Sequence, residues 1–216
     1  MQQVFQEMDG VMQRNRETRR RNMRIRTYRV VPLRPKTGVI EWVLNTIPLL
    51  EYLERTHVSV HPSDWKWAIC RKKIYDAAPA DHKERLEVYQ NVCRHFHPVL
   101  RHFFLEYFKD PDSWLSKRVN FSRSVAASSM IGHVLGLGDR HCQNILLDKQ
   151  TGEVVHIDLG IAFEQVKLFL NTGSNGERGK CYLFLRPFHF DLLVIWLTDL
   201  EFLDVKEPLY VHPRLR

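Results

Sequence analysis

The sequence predicts an α+β fold, in which helices and β-hairpins occupy separate parts of the chain. Apolar residues recur at helical spacing near the N-terminus and again between Leu50 and Leu135. Two pairs of short apolar runs each flank a turn that contains glycine. The predicted order is therefore helix, hairpin, several helices and a second hairpin. A length of 216 residues is enough for one domain or a large piece of one.

The first helix and the first hairpin lie within residues 1–43. The segment Met1–Met23 predicts an amphipathic helix with a basic end. The runs Thr27–Leu33 and Val39–Val43 predict β-strands, and Arg34–Gly38 between them predicts a turn. The helical spacing is carried by Val4, Phe5, Met8, Val11 and Met12.

The middle of the chain predicts helices. The segment Asp110–Ser113 offers a turn and an N-cap for the last of them, and Gly136 provides the turn that ends it. The segments with helical spacing are Trp65–Tyr75, His82–Phe96, Pro98–Phe108 and Trp114–Leu135.

The second hairpin is predicted to bring polar side chains together. The segments Asn144–Asp148 and Glu153–Ile157 predict strands around a turn at Lys149–Gly152. Such a hairpin returns Asp158 to a position beside Asn144. We therefore expect their side chains to be close enough to hold one metal ion.

Asp139, Asn144 and Asp158 together suggest phosphoryl transfer. That reaction requires a carboxylate to receive the hydroxyl proton of the acceptor, and it requires carboxylate and amide oxygens to hold magnesium. A metal-dependent hydrolase is the alternative, because imidazole and carboxylate suit transition metals. It would use His133, His141, His156 and Asp158, but it leaves Asn144 and the glycines before Asp139 unexplained.

Asp139, Arg140 and His141 follow one another in this order, and Asn144 lies five positions after Asp139. Asp158-Leu159-Gly160 follows the second predicted hairpin. This arrangement resembles the phosphatidylinositol 3-kinase superfamily. Flanking motifs over residues 1–165 are similar to the phosphatidylinositol 3-kinase-related protein kinases of the DNA-damage branch. These motifs include Thr27–Leu33, Gly38–Trp42, Ser122–Ser129 and Val155–Gln165.

The resemblance implies an incomplete two-lobed kinase fold. Residues 1–43 would be a partial N-lobe, 44–165 a mainly helical C-lobe, and 166–216 a divergent tail with a flexible linker. The implied reaction transfers the γ-phosphoryl group of ATP to Ser or Thr followed by Gln in protein substrates. A lipid kinase of the same superfamily and a non-catalytic interaction fragment are the alternatives.

The resemblance also implies residue roles. Asp139 would orient and deprotonate the acceptor hydroxyl, and His141 would stabilise the transferring phosphoryl group. Asn144 and Asp158 would hold Mg²⁺ or Mn²⁺, while Arg140 would brace the loop. The hinge, whose backbone would bind the adenine of ATP, would consist of Glu41, Trp42 and Val43.

Little or no kinase activity is expected from this chain by itself. A kinase also uses a Gly-rich loop over the phosphates and a lysine from an N-lobe strand. Within the 216 residues no Gly-rich loop precedes the first predicted helix, and no strand lysine can be assigned to that role.

Composition and charge limit the classes of partner that the chain is expected to bind. The net charge is +7, and arginines are concentrated in the first predicted helix, but no aromatic residues alternate with them as nucleic-acid stacking would require. No run of eighteen apolar residues and no signal-peptide pattern occur, so a nuclear or cytoplasmic protein without a membrane segment is expected. The family resemblance also implies binding to DNA-damage complexes, and this binding would be made through a longer parent protein.

Cysteine and histidine spacing predicts no zinc site. The four cysteines, which are widely spaced, are interpreted as free thiols. His95, His97 and His102 are interpreted as surface or packing residues, because no carboxylate or thiol occurs at metal-site spacing from them.

Overall fold

The computed structural model describes residues 1–163, and the α+β class is confirmed. The helices are α1 (Gln2–Arg14), α2 (Arg16–Arg20), α3 (Leu49–Val60), α4 (Trp67–Asp76), α5 (His82–His95), α6 (Arg101–Tyr107) and α7 (Pro111–Val134). The strands are β1 (Val30–Arg34), β2 (Thr37–Ile40), β3 (Thr46–Pro48), β4 (Ile145–Asp148) and β5 (Val154–His156). A 3₁₀ turn at Cys142–Asn144 precedes β4.

The predicted N-terminal helix is two helices. Asn15 has an extended backbone, and its side chain accepts hydrogen bonds from the amides of Glu17 at 2.9 Å and Thr18 at 3.3 Å. Asn15 is therefore the N-cap of α2. The single-helix prediction was wrong at this point because apolar spacing does not detect a cap within a helical pattern.

Both predicted hairpins are present. Strands β1 and β2 pair antiparallel with Val30 opposite Ile40, and β4 pairs antiparallel with β5, with Leu146 opposite Val155. The sequence did not predict β3, which pairs with β4 through Ile47 opposite Leu147. The second hairpin is therefore the inner part of a three-stranded sheet in the order β3-β4-β5.

The helix that leads to the candidate site has the predicted cap. Asp110 accepts a hydrogen bond from the amide of Ser113 at 3.0 Å, and Pro111 is the first helical residue. Proline is favoured there because its missing N–H would have no partner within the helix. From this cap α7 runs to Val134, immediately before the loop that carries Asp139.

Two apolar clusters support the site. The first lies between the three-stranded sheet and helices α3, α6 and α7, with Tyr52 and Phe103 fully buried. The second joins α1 to the end of α7 and to the segment after β5. Its buried residues are Phe5, Ile25, Ala127, Ile131, Leu135, Leu137, Leu159 and Ala162.

The predicted divergent tail at 166–216, with Cys181, lies outside the described residues. Among the described residues, Cys70, Cys93 and Cys142 form no disulfide bond. Among the helices of the described part, none is long and apolar enough to cross a membrane.

Candidate active site

Backbone hydrogen bonds fix the loop that follows α7. Gly136 has a φ of 59°, a conformation that glycine adopts without steric cost, and the amide of Leu137 bonds the Gly132 carbonyl at 2.8 Å. The amide of Gly138 then bonds the carbonyl of Ile161 at 2.9 Å. The loop before Asp139 is thus tied to the segment that follows Asp158.

Arg140 holds the two parts of the site together. Its guanidinium is buried and donates to the carbonyls of Gly138 at 2.9 Å, Ile157 at 2.6 Å and Asp158. Burial lowers the pKa of Arg140, and the nearby carboxylates of Asp139 and Asp158 act in the opposite direction. These contacts support the expected bracing role.

Hydrogen bonds fix the position of Asn144 between Asp139 and Ile157. Its Nδ2 donates to the carbonyl of Asp139 at 3.0 Å, and its backbone amide bonds the carbonyl of His141 at 2.9 Å. The Asn144 carbonyl accepts a hydrogen bond from the Ile157 amide at 3.0 Å, and Asp158 is the next residue along the chain. An amide oxygen and a carboxylate are ligand types that Mg²⁺ favours, so the residues present fit that ion.

Asp139 and His141 lie side by side at the surface of the loop. The distance from Asp139 Oδ1 to His141 Nε2 is 3.7 Å, which is too long for a hydrogen bond. The Asp139 side chain is 33% exposed and that of His141 43% exposed, so both are accessible to a substrate. Asp139 also has a positive φ of 56°, an uncommon conformation for a non-glycine residue.

The residues of the alternative hydrolase do not form a metal-ligand group. Among residues 1–163, His133, His141, His156 and Asp158 do not converge within ligand distance. His133 is exposed near the end of α7. Burial, with a contribution from the positive charge of Arg140, lowers the pKa of His156 to about 3. His156 is therefore neutral and enclosed in the core.

The predicted hinge residues follow β2. The Glu41 amide donates to the Arg29 carbonyl at 2.9 Å, and the Glu41 carboxylate accepts from the Arg29 amide at 2.8 Å. The Val43 carbonyl accepts from the Thr46 hydroxyl at 2.9 Å. Trp42 is 84% exposed, so it is not a core aromatic residue. Within residues 1–163, no hydrogen bond or ion pair joins the predicted hinge to residues 136–144, the loop that carries Asp139.

The ion pair between Arg26 and Asp148 was not predicted from the sequence. Asp148 is buried at the end of β4, and its Oδ1 accepts the amides of Gln150 and Thr151, both at 2.7 Å. Arg26 contacts its other oxygen. An aspartate at the start of a turn predicts the two amide bonds, whereas the distant arginine has no local sequence signal.

His97 is a surface residue, as predicted, but it has a carboxylate partner that its sequence spacing did not indicate. Its backbone amide and its Nδ1 both lie 2.8 Å from Oδ2 of Asp64, which is remote in sequence. His57 Nε2 lies 3.3 Å from the same oxygen. Folding brings these groups together through the connections before α4 and after α5.

Comparison with known proteins relates the chain to kinases. Residues 1–178 match the family described as phosphatidylinositol 3- and 4-kinase. A serine/threonine-protein kinase tel1 of Schizosaccharomyces pombe is 56% identical over 167 residues, 77% of this chain and 6% of that protein. A serine-protein kinase ATM of Sus scrofa is 47% identical over 172 residues, 78% of this chain and 6% of that protein.

Solved structures show the same relation. The structure of the FAT and kinase domain of CtTel1 matches with a TM-score of 0.71 at 55% identity. The match covers 78% of this chain and 12% of the CtTel1 chain. A structure described as a Tel1 kinase butterfly symmetric dimer matches with a TM-score of 0.66 at 35% identity. The match covers 99% of this chain and 10% of the Tel1 chain. The chain thus spans a small part of the proteins that it matches.

Proposed function

The chain belongs to the phosphatidylinositol 3- and 4-kinase family, and we propose that residues 136–163 carry the phosphoryl-transfer centre of a serine/threonine protein kinase. The family resemblance seen in the sequence and the incomplete kinase fold are confirmed. One observation carries the proposal. The buried Arg140 guanidinium bonds carbonyls on both sides of the site, which holds Asp139 and Asn144 beside Asp158.

Asp139 orients the acceptor hydroxyl and takes its proton. Its exposed carboxylate is accessible, and its backbone is held because the Asp139 carbonyl accepts the Asn144 amide. His141 faces the same opening and stabilises the phosphoryl group in transfer. Because this reaction is catalysed mainly by positioning and charge stabilisation, fixed loop geometry is the main contribution of the protein.

Asn144 Oδ1 and the Asp158 carboxylate would hold Mg²⁺ or Mn²⁺, which would neutralise the phosphate charge of ATP. The Asn144 amide is fixed by its bond to Asp139, so its oxygen is presented with little freedom. Glu41, Trp42 and Val43 form the hinge in this proposal. The Val43 amide has no hydrogen-bond partner among the described residues and is available to an adenine ring.

The proposed domain limits follow from these assignments. Residues 1–43 would form part of the N-lobe and 44–165 the C-lobe, with the predicted tail at 166–216. The substrates are proteins with Ser-Gln or Thr-Gln sites. A DNA-damage role in the nucleus, through the complexes of a longer parent protein, is consistent with the tel1 and ATM names of the relatives.

ATP binding tests the site. Calorimetry on the 216-residue chain should show ATP binding that depends on Mg²⁺, and Asp158→Asn should remove that dependence. Asp76→Asn is the matched control, because Asp76 is an exposed carboxylate at the end of α4. Equal Mg²⁺ dependence in the wild-type and Asp158→Asn chains would overturn the metal assignment.

Acceptor choice tests the reaction class. The assay measures transfer from radiolabelled ATP to a Ser-Gln peptide by the 216-residue chain. Any label transferred should disappear in Asp139→Asn and should be absent from phosphatidylinositol vesicles. Labelled lipid with unlabelled peptide would favour the lipid-kinase alternative. A chain that binds no Mg²⁺-ATP would favour the interaction fragment.

A further inference from the structure

A second group of ligand-type side chains lies outside the catalytic loop. His61 ends α3, Asp64 follows in the connection to α4, and His97 follows the end of α5. One ligand atom from each of the three lies within 4.8 Å of the other two. The group is separate from Asn144 and Asp158, the proposed magnesium ligands.

The spacing within the group is close to that of a tetrahedral metal site. With bonds of about 2.0 Å, ligand atoms on one such ion lie about 3.3 Å apart, and imidazole ring centres lie roughly 5 Å apart. The rings of His61 and His97 have centres 5.1 Å apart, and those of His57 and His61 lie 6.0 Å apart. Asp64 Oδ2 is 3.3 Å from His57 Nε2, which already matches the separation of two ligand atoms on one ion. Asp64 Oδ2 is 2.8 Å from His97 Nδ1, so this distance would have to lengthen when the ion binds.

Two of the imidazoles have buried nitrogens that hydrogen bonding does not explain. Nε2 of His57 and Nε2 of His61 are buried and have no hydrogen-bond partner among the described residues. His57 approaches Asp64 within ion-pair distance but without hydrogen-bond geometry. A buried polar atom without a partner is costly, and a metal ion would satisfy it.

The surroundings of His57 hold its ring beside the group. The ring stacks on Phe96 with centres 4.0 Å apart, which limits its rotation. Phe96 adjoins His97, so the same segment supports one imidazole and provides another.

We propose that His61, Asp64 and His97 bind one divalent transition-metal ion of the Zn²⁺ type, with His57 adjacent as the fourth ligand. Imidazole with a single carboxylate suits Zn²⁺, whereas Mg²⁺ prefers a site made of oxygens. The ion would join the connection before α4 to the connection after α5, which the Trp65 amide already links to the His95 carbonyl at 2.9 Å. Its role in this position is structural.

Cobalt is the probe, because tetrahedral Co²⁺ has strong visible absorption bands that octahedral Co²⁺ lacks. The 216-residue chain, purified without metal, is titrated with Co²⁺ in excess Mg²⁺ and then with Zn²⁺. We expect one Co²⁺ per chain with tetrahedral bands, and stoichiometric displacement by Zn²⁺. Absent tetrahedral bands, or binding well below one ion per chain, would overturn the proposal.

Variants locate the ion. His97→Ala removes an exposed side chain, and Asp64→Asn keeps the shape of the carboxylate while removing its charge. Each should weaken Co²⁺ binding by at least about 100-fold, beyond the roughly 10- to 100-fold effect of changes outside the ligand shell. His82→Ala, at another exposed histidine, and Asp158→Asn should leave the bands unchanged.

Far-UV circular dichroism of each variant separates loss of the ion from loss of the fold. Folded His97→Ala and Asp64→Asn chains with wild-type cobalt affinity would contradict the assignment. Loss of the bands in Asp158→Asn but not in His97→Ala would place the ion at the catalytic loop and would also overturn it.

Discussion

The two hairpins have similar sequences but opposite environments. Both are antiparallel pairs of short apolar strands. Every residue of β1 and β2 is exposed, whereas every residue of β4 and β5 is buried. The first leads into the proposed hinge, and the second lies between the catalytic loop and Asp158. The adenine side and the metal side of the proposed site are therefore supported in different ways.

The difference arises from what each hairpin packs against. The second gains a third strand and a helical layer, and Arg26 and Arg140 attach it to neighbouring segments. The first is a two-stranded ribbon, and its apolar side chains remain exposed among residues 1–163. An isolated two-stranded hairpin is only marginally stable in water. The proposed catalytic loop is thus fixed by its own surroundings more firmly than the proposed hinge is.

The largest expected effect comes from removing the Arg140 guanidinium. Arg140→Ala removes the donor to the buried Gly138 carbonyl and to the partly buried Ile157 carbonyl, at about 1–3 kcal/mol for each unsatisfied group. Urea unfolding should show a total loss of about 4 kcal/mol. Arg34→Ala, at an exposed arginine of β1, should change stability by less than about 0.5 kcal/mol. Similar losses in the two variants would contradict the comparison.

Removing the partner of Asp148 should have the next largest effect. Breaking a fully buried ion pair costs about 3–5 kcal/mol. Here the cost should lie at the lower end, because the Arg26 side chain is 31% exposed and two backbone amides would still satisfy one carboxylate oxygen of Asp148. Arg26→Gln should therefore lower the free energy of unfolding by about 3 kcal/mol in the same urea experiment. A loss under about 1 kcal/mol would show that Arg26 does not hold the second hairpin in solution.

Acid should destabilise the second hairpin through His156. Its folded pKa of about 3 lies below the unfolded value of about 6.5, so between these values the unfolded chain binds a proton that the folded chain does not. Stability is therefore lost as pH falls below about 6.5, and His156 should contribute about 2 kcal/mol of loss at pH 5.

The pH effect is measured as the difference in unfolding free energy between pH 7.5 and pH 5. His156→Gln should reduce that difference, whereas His82→Gln, at an exposed histidine, should not. An unchanged difference in His156→Gln would mean that this ring is accessible to solvent protons.

A matched pair of valine substitutions gives the smallest effects. Val155→Thr places a hydroxyl in a fully buried site of β5, which should cost about 1–3 kcal/mol. Val39→Thr in β2, where the side chain is 55% exposed, should cost less than about 0.5 kcal/mol. Equal costs by urea unfolding would show that the first hairpin is covered in solution.

Features set by local chemistry could be predicted from the sequence. The cap at Asp110, the turn at Gly136 and the second hairpin follow from residues only a few positions apart. The polar set of the proposed active site was also found in this way, because Asp139 and Asn144 share one loop and the hairpin returns Asp158.

Features that depend on distant partners could not be predicted. Strand β3 is three residues long and contains a proline, and it forms because β4 offers an edge. The contacts of Arg26 with Asp148 and of Asp64 with His97 join segments with no shared local pattern. The exposure of Trp42 likewise depends on tertiary packing, which strand propensity does not predict.

In the proposed site, folding brings Asn144 and Asp158 to one divalent cation that binds ATP. Electron paramagnetic resonance of Mn²⁺ measures this directly in the 216-residue chain, because protein-bound and free Mn²⁺ give different spectra. With ATP present, we predict a bound Mn²⁺ signal that is lost in Asp158→Asn and retained in Asp76→Asn. A bound signal of unchanged affinity in Asp158→Asn would contradict the account.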